Sequence, residues 1–303
     1  MELPIVNHPE YVAKINENSV FPIKKFSCLA NYLLQNKVVK NFHVPKECSI
    51  KTLSTSHSLE YINHIKNKTL DKKSETKIGF PINNSVVKRS FLATGGTVLA
   101  SKLALDYKLA CNTAGGSHHA SYDYGAGYCV FNDVAVAANY LKYKKQIKNI
   151  LILDLDVHQG DGTATILSEE KRALTISVHC EKNFPFRKSV SDHDLPIEPL
   201  AGDELYLETV REALEICLEF EPQLVLYQAG VDGLETDSLG KLNVTREGMR
   251  KRNQYVFEIM LANKIPTVVF MGGGYSKPIS HTLDAFFDLF SDAAIWNNRW
   301  PSQ

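Results

Sequence analysis

The chain has 303 residues, 44% of them hydrophobic, and its 34 lysines and arginines balance 34 aspartates and glutamates. This length and apolar content allow a large core and favour one domain over residues 1–303. The zero formal charge excludes a global attraction to nucleic acid or to an anionic membrane. We therefore expect no direct nucleic-acid or membrane partner, and the oligomeric state stays open.

Cysteine usage and the first residues of the chain indicate a compartment. The six cysteines are scattered and form no C-x-x-C pair, which argues against a zinc ribbon and a disulfide framework. The stretch MELPIVNHPEYVAKIN lacks the segments of a signal peptide, and no apolar run approaches the ~18 residues of a membrane span. We expect an unprocessed, soluble protein of a reducing compartment: cytoplasmic, or nuclear if it is eukaryotic or delivered into a host cell.

Residues 1–85 carry the weakest pattern in the chain. Residues 26–34 have the spacing of an amphipathic helix, and residues 66–77 are charge-rich, which is typical of a solvated loop or helix end. Four histidines in this region have no partner pattern and are interpreted as surface or packing residues: His8, His43, His57 and His64.

A long helix follows, and then strands alternate with helices. Residues 86–107 are helical in composition, and Gly95 with Gly96 indicates close backbone packing there. LACNTAGG predicts a strand that enters a glycine turn, and Asn132 or Asp133 can cap the next helix.

Three apolar runs predict buried strands, at 150–153, 224–227 and 267–270, and residues 173–178 predict a further strand. Asp203 is predicted to cap a helix, and residues 179–199 to form a long irregular stretch, which in compact domains is usually functional. The pattern predicts an α/β fold: a single-domain, three-layer open sheet, mainly parallel, with helices on both faces.

Acidic residues follow the run at 150–153 directly. Asp154, Asp156 and His158 lie at i, i+2 and i+4, which puts three side chains on one face of an extended chain. Polar groups on one face of a core strand are costly without a partner, and a divalent metal is such a partner. The alternative is that these acidic residues only cap the next helix, as Asp161 could.

Other strand ends carry chemistry as well, because parallel sheets place ligands beyond the carboxyl ends of their strands. Asp232 follows the run at 224–227 and would complete a site of one histidine and two carboxylates with Asp156 and His158. The segments GGSHH and MGGGY follow two further strands.

His118 and His119 are adjacent, and consecutive side chains rarely converge on one ion. We interpret them as acid/base groups beside the metal, with Asp154 and Asp161 as candidate acceptors that orient the imidazoles. Tyr275 follows three glycines and can approach closely, as an oxyanion donor should. The alternative for Tyr275 is a core residue with its hydroxyl at the surface.

Five segments resemble, in order and spacing, the histone deacetylase family within the arginase-deacetylase superfold: GGSHHASYDYGAGYCVFND, ILDLDVHQGDGTATI, TISVHCEKNFPF, QAGVDGLETDSLGKLNVT and MGGGY. The resemblance covers roughly residues 90–280. Ser117 in place of an aromatic residue, the segment NFPFRK and the short domain are most similar to the class IV and bacterial deacetylase-like branch.

The resemblance implies roles residue by residue. Asp156, His158 and Asp232 match the ligands of one catalytic Zn²⁺, with iron open as the native metal. His118 pairs with Asp154, His119 pairs with Asp161, and Tyr275 polarises the scissile carbonyl. The channel for the acyl-lysine matches Gly127, Tyr128 and Phe184, with Leu239 at its rim. A structural K⁺ is implied at Asp154, the Ser177 hydroxyl and the backbone carbonyls of Asp156, His158 and Val178.

The implied activity is zinc-dependent removal of acetyl or longer acyl groups from lysine side chains of a protein or peptide by an activated water. One departure affects the substrate: the rim loop reads KIGFPINNS and has no acidic residue to grip a peptide backbone. Small acylated amines such as acetylpolyamines are therefore an alternative substrate. A two-metal amidinohydrolase and an acyl-lysine-binding pseudoenzyme are further alternatives.

Overall fold

A computed structural model describes residues 2–16, 19–144 and 147–300. The strands of this part of the chain are β1 (Ile5–Val6), β2 (Leu109–Asn112), β3 (Ile150–Asp154), β4 (Ala173–Cys180), β5 (His193–Ile197), β6 (Leu224–Gln228) and β7 (Thr267–Phe270). They form one sheet in the order β1-β2-β7-β6-β3-β4-β5, and every pairing is parallel. The carboxyl ends of all these strands therefore lie along one edge of the sheet.

The helices of the described residues are α1 (Lys25–Gln35), α2 (Ile50–Leu53), α3 (Leu59–Asn67), α4 (Lys72–Ile78), α5 (Asn84–Tyr107), α6 (Asp133–Tyr143), α7 (Asp161–Leu167), α8 (Asp203–Glu219), α9 (Arg246–Ala262) and α10 (Ser280–Arg299). Two groups of contacting helices cover the sheet: α5, α6 and α7 in one, and α1, α8, α9 and α10 in the other. No helix in these ranges combines the length and the apolar character needed to cross a membrane.

The predicted α/β fold is confirmed. β3 and β6 lie at the centre of the sheet and are buried throughout, as continuous apolar runs predict. The helix predicted at 86–107 is α5, and a side chain at Gly95 or Gly96 would collide with the Lys46 carbonyl or the Tyr11 hydroxyl. Organisation as one domain over residues 1–303 stays a prediction.

Some local predictions were wrong. The stretch 179–199 contains the end of β4 and the whole of β5, an edge strand whose residues are mostly exposed or half-buried. Residues 66–77 are mostly exposed and contain the end of α3, as expected of a solvated helix end, but they also include most of α4. Asp203 is not a cap: Gly202 precedes α8, and the Asp203 carboxylate instead accepts hydrogen bonds from the Thr245 backbone and hydroxyl. Of the two candidates for capping α6, Asn132 does so.

Candidate active site

Three side chains converge at the carboxyl edge of the sheet. Asp156 and His158 follow β3, Asp232 follows β6, and one potential ligand atom from each lies within 4.8 Å of the others. His158 Nδ1 lies 3.1 Å from Asp156 Oδ1 and 3.0 Å from Asp232 Oδ2. Within the described residues, this is the one group of three or more such side chains placed to hold a metal ion. The structure thus brings together the three predicted metal ligands.

The chain reaches this arrangement by a turn and not by an extended strand. β3 ends at Asp154, whose Oδ1 accepts a hydrogen bond from the Asp156 backbone N–H at 3.1 Å. Asp156 Oδ1 accepts in the same way from the His158 N–H at 3.0 Å. Aspartate side chains that bond the backbone two residues on are typical of turns. The expectation that all three side chains extend along one strand face was wrong, although two of them still meet.

The two carboxylates of the triad are fixed by backbone donors. Asp156 Oδ2 accepts from the Gly273 N–H at 2.7 Å, and Asp232 Oδ1 accepts from the Val157 N–H at 3.0 Å. A side chain at Gly273 would collide with both carboxylates. The glycine segment after β7 is therefore needed for the close approach of its backbone to the triad.

The electrostatics of the triad favour a bound cation. Burial first, and then the neighbouring Asp156, raise the pKa of Asp232 above its usual range. Burial acts to lower the pKa of His158, but hydrogen bonds to Asp156 and Asp232 raise it to about 10. Buried carboxylates in contact are costly unless a cation or proton compensates them. The donor set of two carboxylates and one imidazole fits Zn²⁺ or a similar ion.

Two histidine–aspartate pairs stand beside the triad. His118 Nδ1 lies 2.7 Å from Asp154 Oδ2, and His119 Nδ1 lies 2.7 Å from Asp161 Oδ1. Both histidines are only 4% exposed, and their rings are 4.0 Å apart. These are the pairings that the resemblance implied, and in each the second ring nitrogen is left for other contacts.

The two imidazoles differ in charge. Burial acts to lower the pKa of His118, but Asp154 and Asp156 raise it to about 9. Burial and the neighbouring His118 lower the pKa of His119 to about 4, against the opposing effect of Asp161. At neutral pH His119 can accept a proton, whereas His118 carries one.

Tyr275 reaches the same cavity from the loop after β7. Its backbone N–H donates to Asp237 Oδ2 at 2.7 Å, and Asp237 Oδ1 also accepts from the Leu239 and Gly240 backbones. Burial, and then Asp232, raise the pKa of Tyr275 well above its usual range. The tyrosine therefore keeps its proton and can act as a hydrogen-bond donor.

A cavity of about 410 Å³ leads to these groups. Its lining includes all four predicted channel residues: Gly127, Tyr128, Phe184 and Leu239. The Phe184 ring lies 4.8 Å from the His119 ring, edge to face. Gly127 has a φ of +53°, and a side chain there would meet His119 and Phe184, so glycine keeps the channel open.

Two buried cations near Tyr275 were not among the predicted site residues. Lys25 is 1% exposed and donates to the carbonyls of Gly272 and Gly274 at 3.3 Å each. Arg89 is 8% exposed, lines the cavity and donates to the Tyr11 carbonyl at 2.8 Å. Lys25 precedes Leu29 and Leu33 by one and two helical turns, so its place on the apolar face of α1 could have been inferred from the sequence.

The predicted potassium ligands lie on β3 and β4 or directly after β3. The register of β3 and β4 sets Asp154 beside Ser177, and the Ser177 hydroxyl lies 3.0 Å from His179 Nδ1. Val178 is the next residue of β4, and β4 is buried at this point. The potassium site stays a prediction.

Comparisons with known proteins agree with this geometry. Residues 19–287 match the family model of the histone deacetylase domain. An uncharacterized protein of Picosynechococcus sp. is 42% identical over 282 residues, which cover 92% of this chain and 94% of that protein. Histone deacetylase 2 of Arabidopsis thaliana is 33% identical over 289 residues, which cover 91% of this chain and 73% of that protein.

Solved structures agree as well. A histone deacetylase homologue crystallised with SAHA has a TM-score of 0.86 and 26% sequence identity, covering 97% of this chain and 84% of its own. A homologue from Aquifex aeolicus has a TM-score of 0.85, the same identity and the same coverage of both chains. The fold and site define a hydrolase of the arginase-deacetylase type. Within that class, the chain belongs to the histone deacetylase family, as its segments predicted; the branch stays a prediction.

Proposed function

We propose that this protein is a zinc-dependent hydrolase that removes acyl groups from lysine side chains. The observation that carries the proposal is the presence of two histidine–aspartate pairs, each at 2.7 Å, beside a three-ligand metal triad, with the pKa values of the two histidines displaced in opposite directions. Hydrolysis of an amide needs a base for the water and an acid for the leaving amine. The lowered pKa of His119 suits the base, and the raised pKa of His118 suits the acid.

Asp156, His158 and Asp232 would hold the zinc ion, which would supply Lewis-acid polarisation of the carbonyl and lower the pKa of the attacking water. His119 is the base, because its low pKa leaves it neutral and Asp161 fixes its ring through Nδ1. His118, held protonated by Asp154, provides the positive charge and proton for the leaving amine. The products are a carboxylate and a free amine, and no covalent enzyme intermediate is involved.

The Tyr275 hydroxyl donates to the carbonyl oxygen as negative charge develops there. Its raised pKa keeps the donor protonated over the working pH range. Phe184, Tyr128 and Gly127 enclose the aliphatic part of the acyl-lysine, because they form the apolar walls of the cavity above the histidines. We also propose a structural K⁺ beside Asp154 and Ser177, at the residues given above.

A small acylated amine is the second candidate substrate. The observation that favours it is the rim loop between α4 and α5, where residues 77–85 offer no carboxylate to a peptide backbone. An acyl-binding pseudoenzyme is disfavoured, because both histidines and the tyrosine line the cavity.

The test is a screen of zinc-loaded protein against acyl-lysine peptides, from acetyl to long-chain acyl, and against acylpolyamines. We expect hydrolysis of acyl-lysine that a chelator abolishes and that zinc or ferrous ion restores. The same protein incubated with arginine, scored for urea release, is the control for an amidinohydrolase. Failure of every amide with metal-replete protein would refute the proposal.

A further inference from the structure

We propose that the mouth of this site selects acyl-lysines that are flanked by acidic residues. The inference rests on the proposed function and names its substrate class. It begins from the charge of the cavity lining, which includes three lysines, Lys77, Lys182 and Lys241, called here the mouth lysines. Asp156, a metal ligand, is the one carboxylate among the described lining residues.

The mouth lysines come from three separate segments. Lys77 lies in the last turn of α4, Lys182 lies after β4, and Lys241 lies in the loop that follows β6. Lys241 Nζ donates to the Lys182 backbone carbonyl at 2.8 Å, so these two residues belong to one side of the opening. Lys77 Nζ stands 3.2 Å from the centre of the Tyr124 ring. The positive charge is therefore built into the rim and is not the property of one flexible loop.

Little nearby negative charge offsets this lining. Lys182 has an ion pair with Glu181 at 3.4 Å, but the two side chains are 70% and 45% exposed. Such an exposed pair is weak and leaves the lysine free to exchange partners. Asp161 and Asp123 both act to raise the pKa of Lys77, but Asp161 is already paired with His119 and Asp123 is exposed. Arg187 and Lys188 add further cations in the segment that carries Phe184.

A local cluster of this kind matters because the whole chain is neutral. Clefts lined by charge of one sign raise the local concentration of oppositely charged ligands and repel like-charged ones. An acyl-lysine has lost its own positive charge, so its flanking residues decide the electrostatics at the mouth. Asp and Glu within two residues of the acyl-lysine would be attracted, whereas basic tails and cationic polyamines would be repelled.

An exposed aromatic residue completes the surface. Phe186 is 90% exposed and lines the same opening as the mouth lysines. Such a ring beside lysines can cover the aliphatic stem of a Glu side chain while the carboxylate meets an ammonium group. The partner that fits is thus an extended peptide with acidic residues around the acyl-lysine.

The experiment uses three acetyl-lysine peptides of equal length that differ only in their flanking residues: Glu, Gln or Lys on each side. Hydrolysis is measured with zinc-loaded wild-type protein, and binding is measured with the zinc-loaded Tyr275→Phe variant. We expect the Glu peptide to exceed the Lys peptide about tenfold in kcat/KM and in affinity at low salt. The ratio should shrink in 0.5 M KCl, because the Debye length falls well below its value of about 10 Å at 0.1 M.

Two matched triple variants locate the effect. K77Q/K182Q/K241Q removes the mouth lysines and should bring the Glu-to-Lys ratio close to one while leaving hydrolysis of the Gln peptide within about twofold. K148Q/K171Q/K264Q removes three exposed lysines that precede β3, β4 and β7 at the opposite edge of the sheet, and should keep the wild-type ratio. K77Q/K182Q, which keeps the Lys241 hydrogen bond, serves if the first triple folds poorly.

The outcomes separate this inference from the proposed function. Equal binding of the three peptides by the Tyr275→Phe variant, whose mouth lysines are intact, would overturn the selection of acidic flanks. An unchanged Glu-to-Lys ratio in K77Q/K182Q/K241Q would overturn it as well. Loss of the ratio in both triple variants would also overturn it, since the effect would then be one of net charge. A binding preference without hydrolysis of any peptide would support the acidic-flank inference and refute the proposed reaction.

Discussion

His118 and His119 are neighbours in the chain, yet their pKa values move in opposite directions. Both rings are buried, and burial alone would lower both values. The pKa of His118 is raised because the ring faces two carboxylates, with Asp154 Oδ2 at 2.7 Å and Asp156 Oδ1 at 3.8 Å. His119 has one carboxylate partner and also faces the charged His118. The different acid and base roles of the two histidines therefore follow from the second carboxylate beside His118, that of Asp156.

This difference predicts a bell-shaped pH dependence of kcat/KM. A base with a pKa of about 4 is deprotonated above that pH, and an acid with a pKa of about 9 is protonated below it. Activity should therefore rise through the pKa of His119 and fall through that of His118; a bound cation would lower both values but keep their order. His119→Ala should lose nearly all turnover, and His118→Ala should lose the basic limb.

Rates and bound zinc measured together over a pH series check this prediction. Both variants should retain zinc, because neither histidine belongs to the triad. Loss of metal in His119→Ala would make that residue a ligand, and wild-type turnover in it would remove the base from the mechanism.

Tyr275 gives the second prediction at this scale. Tyr275→Phe removes one donor to the oxyanion and leaves the backbone bond to Asp237 in place. The expected result is a fall in kcat on the order of 10²-fold with little change in KM, since the hydrogen bond matters mainly in the transition state. Steady-state kinetics of metal-replete protein decide the matter, and unaltered kcat would make the tyrosine structural.

At the scale of elements, the strands that could be predicted are those with continuous runs of apolar residues. β3 and β6 are buried throughout and were predicted from their runs of aliphatic residues. β5 was missed because its sequence, HDLPI, carries only one fully buried residue and lies at the sheet edge. The turn after Asp154 was missed because its aspartates bond the backbone locally, while their spacing also suits an extended strand.

The loop from β7 to α10 depends on a helix far away in sequence, which gives a third prediction. Lys25 of α1 supplies two hydrogen bonds to this loop, and burial lowers the pKa of its ammonium to about 8. Lys25→Met should leave the Gly272 and Gly274 carbonyls without this donor and let Tyr275 move. We expect kcat to fall about tenfold or more, with zinc content unchanged.

The matched control is Lys24→Met, the same substitution at the exposed neighbouring position. It should keep wild-type kcat. The kinetic constants and thermal midpoints of both variants are the readout. If Lys25→Met keeps kcat, or loses it only together with the fold, the lysine does not position the tyrosine.

At the scale of the whole molecule, parallel strands explain why so much of the site was predictable. Residues 118, 158, 232 and 275 are far apart in sequence, but each follows a strand, and parallel strands end at one edge. The pairing of His118 with Asp154 and of His119 with Asp161 came from the family resemblance. The mouth lysines could not be predicted, because their positions depend on contacts between loops and helices that no local pattern contains. For Lys25, the sequence offered its place on the apolar face of α1 but not its bonds to the Gly272 and Gly274 carbonyls.

The metal triad links the site to the stability of the entire fold, which gives the last prediction. Without a metal, Asp232 and His158 bind protons more tightly in the folded protein than in the unfolded chain, since both pKa values are raised. The stability that these two groups contribute to the metal-free protein should therefore be lost as pH rises through their folded pKa values, about 7 for Asp232 and about 10 for His158. Zinc replaces those protons, so the increase in thermal midpoint that it causes should grow with pH. At about 1,000 times its Kd, zinc would add about 4 kcal/mol, or on the order of 10 °C.

Asp232→Asn should abolish most of this zinc-dependent shift, because it removes one ligand and its charge. Asp284→Asn is the control: Asp284 on α10 forms an ion pair at 3.1 Å with Arg246 on α9, and both side chains are exposed. That variant should keep the wild-type shift, since exposed ion pairs contribute little. Thermal unfolding of chelated and zinc-loaded protein at three pH values gives the answer. A shift that does not depend on pH, or that persists in Asp232→Asn, would mean that zinc stabilises the protein elsewhere.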